Sequence, residues 1–437
     1  MERIAQFFKF KENNTDLRTE SVAGTTTFLA MAYILFVNPQ MLSLTGMDES
    51  AVFVATALSA ALATLLMGLL ANYPIALAPG MGLNAFFTFS VVMGMGIEWQ
   101  VALFGVFCSG ILFMILSISN VRETVINAIP AEMKYAAGAG IGLFIAFIGL
   151  QNTGIIVRDP ADEVIVALGN LGQPEVLLTV FGLTVTVIFL VIGLKGGIFF
   201  GMIATVIVGL IFGQISWPGS PLAMPPSLAP TFGQLFAIDF SSVFTLQLLV
   251  VILTFLFVDF FDTAGTLYGV ANQAGFIKDN KLPRAGRALL ADSTATPIGA
   301  ILGTSTTTSY VESAAGVGAG GRTGFTSVIT ALFFLLALFF SPLLGVITPA
   351  VTGPALILVG VMMATALGQI DWKKLEVAIP AFFTVLAMPL TYSIATGIAL
   401  GFVFYPITMI CKGKWKQVHP LMYVLFIVFL SYLIWLK

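Results

Sequence analysis

Charge is what this sequence has least of. Asp, Glu, Lys and Arg make up 9% of its 437 residues, where a soluble chain carries about 25%, while 58% are hydrophobic and the mean hydropathy is +1.01. Such a chain has more apolar surface than a core can hide from water, so lipid is its solvent. The net charge of −2 argues for neither an acidic nor a basic partner, and no Lys/Arg-rich run points to nucleic acid. Histidine occurs once, His419, beside lysines near the end of the chain, and cysteine twice, Cys108 and Cys411, far apart in or at the end of apolar stretches. Neither type has metal-ligand spacing or a framework of pairs, which excludes most transition-metal and thiol chemistry; no metal site and no cofactor are expected. Met1 to Arg18 also lacks a short apolar run with a small-residue cleavage site, so no cleaved signal peptide is expected.

What is abundant is apolar runs about 20 residues long, enough for a helix to cross the hydrocarbon core. Candidate spans fall near 22–44, 51–72, 74–94, 100–119, 133–153, 176–195 and 197–214, then near 243–269, 286–303, 304–321, 325–346, 350–368, 376–389 and 391–411. A Pro/Gly-rich stretch, Trp217 to Gly233, separates the two sets of seven, which predicts an all-α polytopic membrane protein of fourteen segments. Basic residues orient it. With fourteen spans, Arg3, Lys9, Lys11 and Arg18, then Arg122 and Lys134, Lys195, Lys278 to Arg287, Arg322, Lys373 and Lys374, and Lys412 to Lys416 all fall on one side. Arg158, amid Asp159, Asp162 and Glu163, is the exception. Both ends of the fourteen-helix unit are therefore expected in the cytoplasm. A further apolar run, Leu421 to Leu436, is short for a span and fits an interfacial helix or an extra crossing equally. The Gly138 to Gly142 run lacks the lysine and preceding strand of a phosphate loop and reads as close helix packing.

Two segments are wrong for ordinary helices. The third reads Ala78-Pro79-Gly80-Met81-Gly82-Leu83-Asn84-Ala85-Phe86-Phe87; the tenth begins with six consecutive hydroxyl residues, Thr304 to Ser309, and continues Tyr310-Val311-Glu312-Ser313. Each resists helix at its start and becomes helical halfway. Non-helical backbone at membrane depth survives only buried in protein or lining a cavity. These are the third segments of two sets which, seven being odd, run in opposite senses across the membrane. Paired discontinuous helices in an inverted repeat point to a transporter's midplane site. Close packing by small residues accounts for one such segment but less well for two at matching positions.

Intramembrane acids are costly, so each is a functional hypothesis. Asp259, Asp262, Asp292 and Glu312 stand out. Asp259, Asp262, Thr263 and Thr266 share a face at helical spacing, and such a polar stripe needs a partner or a cavity. Glu312 sits where the tenth segment turns helical, as Asn84 does in the third, where half-helix ends offer free N–H groups and a positive dipole. Lys, Arg and His are lacking at similar depth, so at least one acid is expected to bind a proton in part of a cycle. Asp292 reads equally well as an ion-pair partner of Arg284 or Arg287, and Asp259 as a helix-bridging group. Of the aromatics, only those beside the breaks, Phe86 and Tyr310, merit consideration as stacking partners. Carboxylates and Ser/Thr oxygens also suit sodium, which leaves the coupling ion open between proton and sodium.

The runs Thr25 to Pro39, Ala78 to Phe87, Val258 to Leu267 and Thr304 to Glu312 resemble the AzgA-like purine permeases, the guanine/hypoxanthine type in particular, a branch of the nucleobase–cation symporter-2 superfamily. The likeness covers essentially the whole chain, with four motifs in order. It implies a seven-plus-seven inverted repeat behind a cytoplasmic arm, 1–21, with a core domain (22–120 and 243–346), a gate domain (133–214 and 350–411) and a basic, then apolar, tail (412–437). It further implies elevator-like motion, a homodimer in the cell membrane, and import of purine nucleobases with protons. The acid on span 8 matches Asp262 and the acid on span 10 matches Glu312, with Asn84 at the span-3 half-helix. Ala85, Tyr310 and Val311 lie beside these as substrate-binding positions, Asp259, Asp262 and Glu312 are the proton-coupling acids, and Thr27 and Thr266 support. Uracil permeases carry a histidine where Thr266 stands, which shifts weight to the carboxyls. An anion carrier of this fold would place a basic residue or uncharged pair where these acids stand, and a channel would favour rings of like residues. An enzyme would need a nucleophile or metal constellation that one histidine does not furnish.

Overall fold

The computed structural model describes residues 2–118, 129–158, 165–243, 245–277 and 282–435. Arg122, Asp159, Asp162, Glu163, Lys278 and Lys281, used above for orientation, lie outside the described residues, as do 119–120 and 436–437 of the expected segments. A short helix, Glu2–Phe7, precedes the body. Its first half contains α1 (Leu17–Met31), α2 (Ile34–Ser43), α3 (Glu49–Leu66), strand β1 (Leu77–Pro79), α4 (Met81–Ala85), α5 (Trp99–Ile118), α6 (Ala131–Asn152), α7 (Pro174–Val191) and α8 (Gly197–Ile211). The second holds α9 (Leu246–Gln273), α10 (Ala285–Leu302), strand β2 (Thr307–Ser309), α11 (Ser313–Gly318), α12 (Gly324–Ala337), α13 (Pro349–Ala364), α14 (Leu375–Thr391), α15 (Ile394–Cys411) and α16 (Pro420–Trp435).

Nine helical stretches among the described residues are long and apolar enough to cross a membrane: Leu17–Ser43, Glu49–Ala71, Trp99–Ile118, Ala131–Asn152, Pro174–Val191, Leu246–Gln273, Gly324–Val346, Pro349–Gln369 and Ile394–Cys411. The expected segments near 74–94, 197–214, 286–303, 304–321 and 376–389 fall outside that set. Two of them are broken into strand plus half-helix, two are helices of 15 and 17 residues, and α10 carries Arg287 and Asp292 on 18 residues. The first helix also starts earlier than hydropathy indicates. Asp16 caps it by accepting from the Thr19 N–H at 2.8 Å, so charged Arg18 and Glu20 are drawn into its first turn.

The helices pack as two groups. In one, α1, α3 and α12 lie together, α10 fills the space between α3 and α5, and α9 lies along α5. In the other, α6 packs on α13 and α14, α15 on α14, and α7 and α8 on α13. Without a hydrophobic drive between helices in lipid, close backbone approach through small residues holds such contacts. Gly142, in the run read above as packing, meets Gly360 so closely that a Cβ on Gly360 would sit 2.4 Å from the Gly142 carbonyl. The tail helix α16 turns Met422, Leu425, Phe429 and Tyr432 inward, one face at 3–4 residue spacing, and lies against α15 and α9.

One buried carboxylate ties the first group at its end. Glu20 is fully buried and accepts from the N–H groups of Arg322, Thr323 and Thr326 at 2.9, 3.3 and 3.2 Å and from Thr326 Oγ1 at 2.6 Å. These are orphan donors at the start of α12, where a negative charge is favoured. The Arg322 guanidinium donates to the Val317 and Gly321 carbonyls at 2.8 and 2.7 Å, closing the far end of α11.

Candidate substrate and ion site

The two broken segments meet. β1 pairs antiparallel with β2, Leu77 opposite Ser309, Ala78 opposite Thr308 and Pro79 opposite Thr307. Each three-residue strand then turns into a half-helix, α4 or α11. Isolated strands inside a membrane leave backbone groups without partners unless the protein provides them, and hydroxyls do so here. Thr64 Oγ1 accepts from Leu77 N–H and contacts its carbonyl at 2.9 and 3.0 Å, Ser313 Oγ accepts from Ala76 N–H at 3.0 Å, and Thr296 Oγ1 donates to the Thr307 carbonyl at 3.1 Å. The hydroxyl run of the tenth segment thus stabilises a strand pair that apolar side chains would leave unsatisfied. Thr307 packs so tightly over α10 that a Cβ on Gly299 would lie 2.6 Å from its Oγ1.

Glu312 is the residue before α11 and is half-buried, as is Asp262 on α9; Glu312 is the charged group whose field reaches Asp262. Tyr33, between α1 and α2, donates its hydroxyl to Glu312 Oε1 at 2.6 Å. That leaves Oε2 available to a ligand, and an ionised carboxylate accepts only. Val311 beside it is 49% exposed, and Thr266, one turn beyond Asp262, is half-buried. The first N–H groups of α11 turn back on its own chain, Ser313 to the Tyr310 carbonyl and Ala314 to that of Val311, so they are not the free donors expected there.

Other expected site residues hold the crossing together instead of facing open space. Asn84 is fully buried, its Oδ1 accepting from Ser305 Oγ while its Nδ2 has no partner among the described residues. Ala85 is buried beside it. The Tyr310 hydroxyl donates to the Pro79 carbonyl, tying β2 to β1. Phe86 is buried edge-on against Phe255, ring centroids 4.8 Å apart, and is a packing residue. Thr27 is buried under α11, where a Cβ on Gly316 would fall 2.0 Å from its Oγ1, so it sets the position of the half-helix.

The polar stripe of α9 divides. Asp259 and Thr263, four residues apart, face the strands and α10, whereas Asp262 and Thr266 lie on the adjacent ridge toward Glu312. A step of three residues turns about 60° around the helix, enough to separate them. Asp259 Oδ2 lies 3.0 Å from Thr296 Oγ1, whose single hydrogen is shared between this oxygen and the Thr307 carbonyl. Asp292 is fully buried, accepting from Thr263 Oγ1 and Ser309 Oγ at 2.7 Å each. The ion pair with Arg284 or Arg287 is not formed: both its oxygens are taken by hydroxyls, and Arg284, at the cap of α10, lies roughly 12 Å away along the axis at 1.5 Å per residue. Arg284 instead stacks over the Tyr73 ring at 4.5 Å. Tyr33, Ser305 and Asn38, which donates to Thr56 and Thr304 at 2.7 and 2.9 Å, escaped the sequence reading of the site. For Tyr33 and Asn38 the signal was a polar group inside the apolar Thr25 to Pro39 run, and for Ser305 its place in the hydroxyl run Thr304 to Ser309. A cavity of about 430 Å³ lined by Gln40, Glu49, Asn152, Ile347 and Thr352 lies apart from all four acids.

The profile described as Permease family (Xan_ur_permease) matches residues 18–400. The guanine/hypoxanthine permease PbuG of Bacillus subtilis (strain 168) is 60% identical over 99% of this chain and 99% of its own. The adenine permease AdeP of Escherichia coli (strain K12) is 42% identical over 98% of this chain and 96% of its own. Of solved structures, the transmembrane domain of a cyanobacterium bicarbonate transporter, BicA, superposes with TM-score 0.59 at 15% identity, covering 90% of this chain and 96% of that one. SLC26A9 does so with TM-score 0.61 at 10% identity, covering 93% and 66%. Likeness at such identities is a likeness of fold.

Proposed function

Because the chain belongs to this permease family and is a multi-pass membrane protein, we propose that it imports purine nucleobases, hypoxanthine and guanine ahead of adenine, by proton symport across the cell membrane. The observation that carries this reading is the half-buried pair Asp262 and Glu312 at the strand crossing, with Tyr33 holding one oxygen of Glu312. A purine offers N–H donors and ring acceptors around a flat edge. An ionised carboxyl accepts from such an edge and a protonated one also donates, so a carboxyl pair reads it. The names of the relatives, guanine/hypoxanthine and adenine permeases, support the same substrate class.

Transport follows if proton and base stabilise the same conformer. In this reading the chain crosses the membrane fourteen times as an inverted repeat, with its N-terminus in the cytoplasm. The group containing α1–α5 and α9–α12 carries the site and moves past the group of α6–α8 and α13–α15 as an elevator, in a homodimer. The proton is the coupling ion. The fold neighbours are named as bicarbonate and anion transporters, but a site walled by two acids, neither ion-paired among the described residues, repels an anion.

The test is uptake of radiolabelled hypoxanthine into cells lacking their own purine carriers, with and without a protonophore, for the native chain and Glu312→Gln. Protonophore-sensitive uptake, lost or uncoupled in the variant, is the expected result. A well-expressed native chain that takes up no purine would overturn the reading in favour of an anion carrier.

A further inference from the structure

The two groups of helices are bonded to each other where α2 passes the starts of α13 and α15. Gln40 on α2 reaches across with both ends of its amide. Its Nε2 donates to the carbonyl of Ile347, just before α13, and its Oε1 accepts from Thr352 Oγ1 at 2.7 Å. Thr352 also lies 3.4 Å from the Thr348 carbonyl of its own turn, and its one hydrogen serves the nearer oxygen. A carbonyl only accepts, so these partners fix which way the amide points. A further bond stands beside this one. Thr88, past α4, donates to the Met41 carbonyl at 3.2 Å, and two residues on Ser90 Oγ accepts from the Ile394 N–H at the start of α15, also at 3.2 Å.

The same face of α2 leads to the site. Tyr33, Val37, Gln40, Met41 and Leu44 form one stripe at helical spacing. Tyr33 holds Glu312, and Gln40 stands two turns further on, roughly 10 Å along the axis. The last four of these residues wall the cavity of about 430 Å³, with Ile347 and Thr352 opposite. Leu44 is 51% exposed, whereas Val37, a turn from Gln40 on the side of Tyr33, is 2% exposed. Access from the surface toward the site is thus lost across the Gln40 bonds. These bonds also differ in kind from the contacts inside each group. Gly142 and Gly360 meet backbone to backbone, and parting them forfeits packing. Water can replace an amide or hydroxyl partner when a seam opens, so breaking such a bond costs little net free energy.

We propose that Gln40 and Thr352 form an outer latch: their bonds close the way from the cavity to Glu312, and they part when base enters from that side. The inference rests on the reading of two groups that move past each other with the N-terminus in the cytoplasm, which puts this end of α2 outside. It adds what that reading leaves unspecified, a contact made in one conformer and absent from the other, and so able to set their balance. α2 ties the latch to the site, because Gln40 and the Tyr33 that holds Glu312 are on one helix.

The experiment uses the full chain in intact cells, with Val37→Cys as reporter and a membrane-impermeant maleimide added outside. The same chain without that substitution, carrying Cys108 and Cys411, gives the background. Labelling of the reporter is expected to quicken about tenfold with Gln40→Ala and about threefold with Thr352→Val, because each removes a bond held in the closed conformer alone. Thr352→Ser keeps the hydroxyl and should keep the native rate. The half-saturating concentration of external hypoxanthine should fall about threefold or more in Gln40→Ala, as the outward-open fraction rises. Thr352→Val, close to threonine in shape, decides the matter if Gln40→Ala fails to fold. Unchanged labelling in the variants overturns the latch, and so does a lower unfolding temperature in detergent without faster labelling, which would make the bonds structural only. If labelling quickens as expected but the native chain takes up no hypoxanthine, the latch stands and the purine reading is what fails.

Discussion

Two pairs of acids stand within a few residues of one another on the same elements, and the protein treats them differently. Asp262 and Glu312 keep part of their surface accessible, and among the described residues one side-chain hydrogen bond reaches them, from Tyr33 to Glu312. Asp259 and Asp292 are closed off and held by Thr296, Thr263 and Ser309. The lesson is that an intramembrane acid is assigned its task by what surrounds it, not by depth or span. An acid left wanting donors is ready for a ligand, whereas one supplied with hydroxyls is ready to keep or pass a proton.

The contrast breaks most visibly at the front pair. In the proposed site, Asp262→Asn would remove a carboxylate acceptor from a ligand N–H, a charged hydrogen bond of about 1.5–3 kcal/mol. At the upper end, hypoxanthine binding should weaken by roughly a hundredfold. Equilibrium binding with labelled hypoxanthine checks this against Asp259→Asn, and similar losses in the two would erase the distinction.

The strands that separate the pairs are the next target. Gly299→Val would push a side chain into the Thr307 and Ser59 hydroxyls, since even a Cβ would lie 2.6 and 2.9 Å from them. Overpacking of this kind costs about 1–3 kcal/mol, and the expected readout is a lower unfolding temperature in detergent, with Gly299→Ala milder. An unchanged unfolding temperature would mean that the strand pair yields without penalty and does not hold the two sites apart.

Tyr33→Phe sharpens the front pair without emptying it. It removes the 2.6 Å bond to Glu312 Oε1, a contribution of about 1.5 kcal/mol for a hydrogen bond to a charged group. Binding is expected to change about tenfold or less, with proton stoichiometry intact. Titration calorimetry separates this from the larger effect of Asp262→Asn; an effect as large would make Tyr33 a direct ligand.

Much of this arrangement was legible beforehand. Runs of apolar residues disclosed the helices, and Pro79-Gly80 and Thr304 to Ser309 disclosed the two breaks, because residues that resist helix inside apolar runs have few uses in a membrane. The juxtaposition of Asp262 with Glu312 was read from motif and position. Hidden from the sequence was which ridge of α9 each acid occupies: Asp259 and Asp262 satisfy one helical spacing rule yet meet different neighbours. Asp292 looked like a partner of nearby arginines because sequence distance overstates proximity along a helix. Tyr33 was invisible for a simpler reason, since one hydroxyl in an apolar run reads as packing until its acceptor is known. The start of α1 was misread because hydropathy ignores capping, and Asp16 begins the helix before the apolar run does.

That cap yields the smallest prediction and a contrast to every buried acid above. Asp16 is exposed, and its bond from the Thr19 N–H holds its carboxyl below the ordinary value of 3.8. A group whose folded value is depressed stabilises the fold at pH above its unfolded value and loses that contribution as pH falls through the folded one. The first turn of α1 should therefore loosen only in acid, below about pH 4, and Asp16→Ala should loosen it at neutral pH as well. Asp16→Asn keeps a neutral acceptor and should flatten the pH dependence. Hydrogen-exchange protection of the Thr19 and Glu20 amides reports this directly. Because Glu20, in that same turn, holds the start of α12, a loosening that spread to Thr323 and Thr326 would show that the cap supports the site-bearing group and not α1 alone.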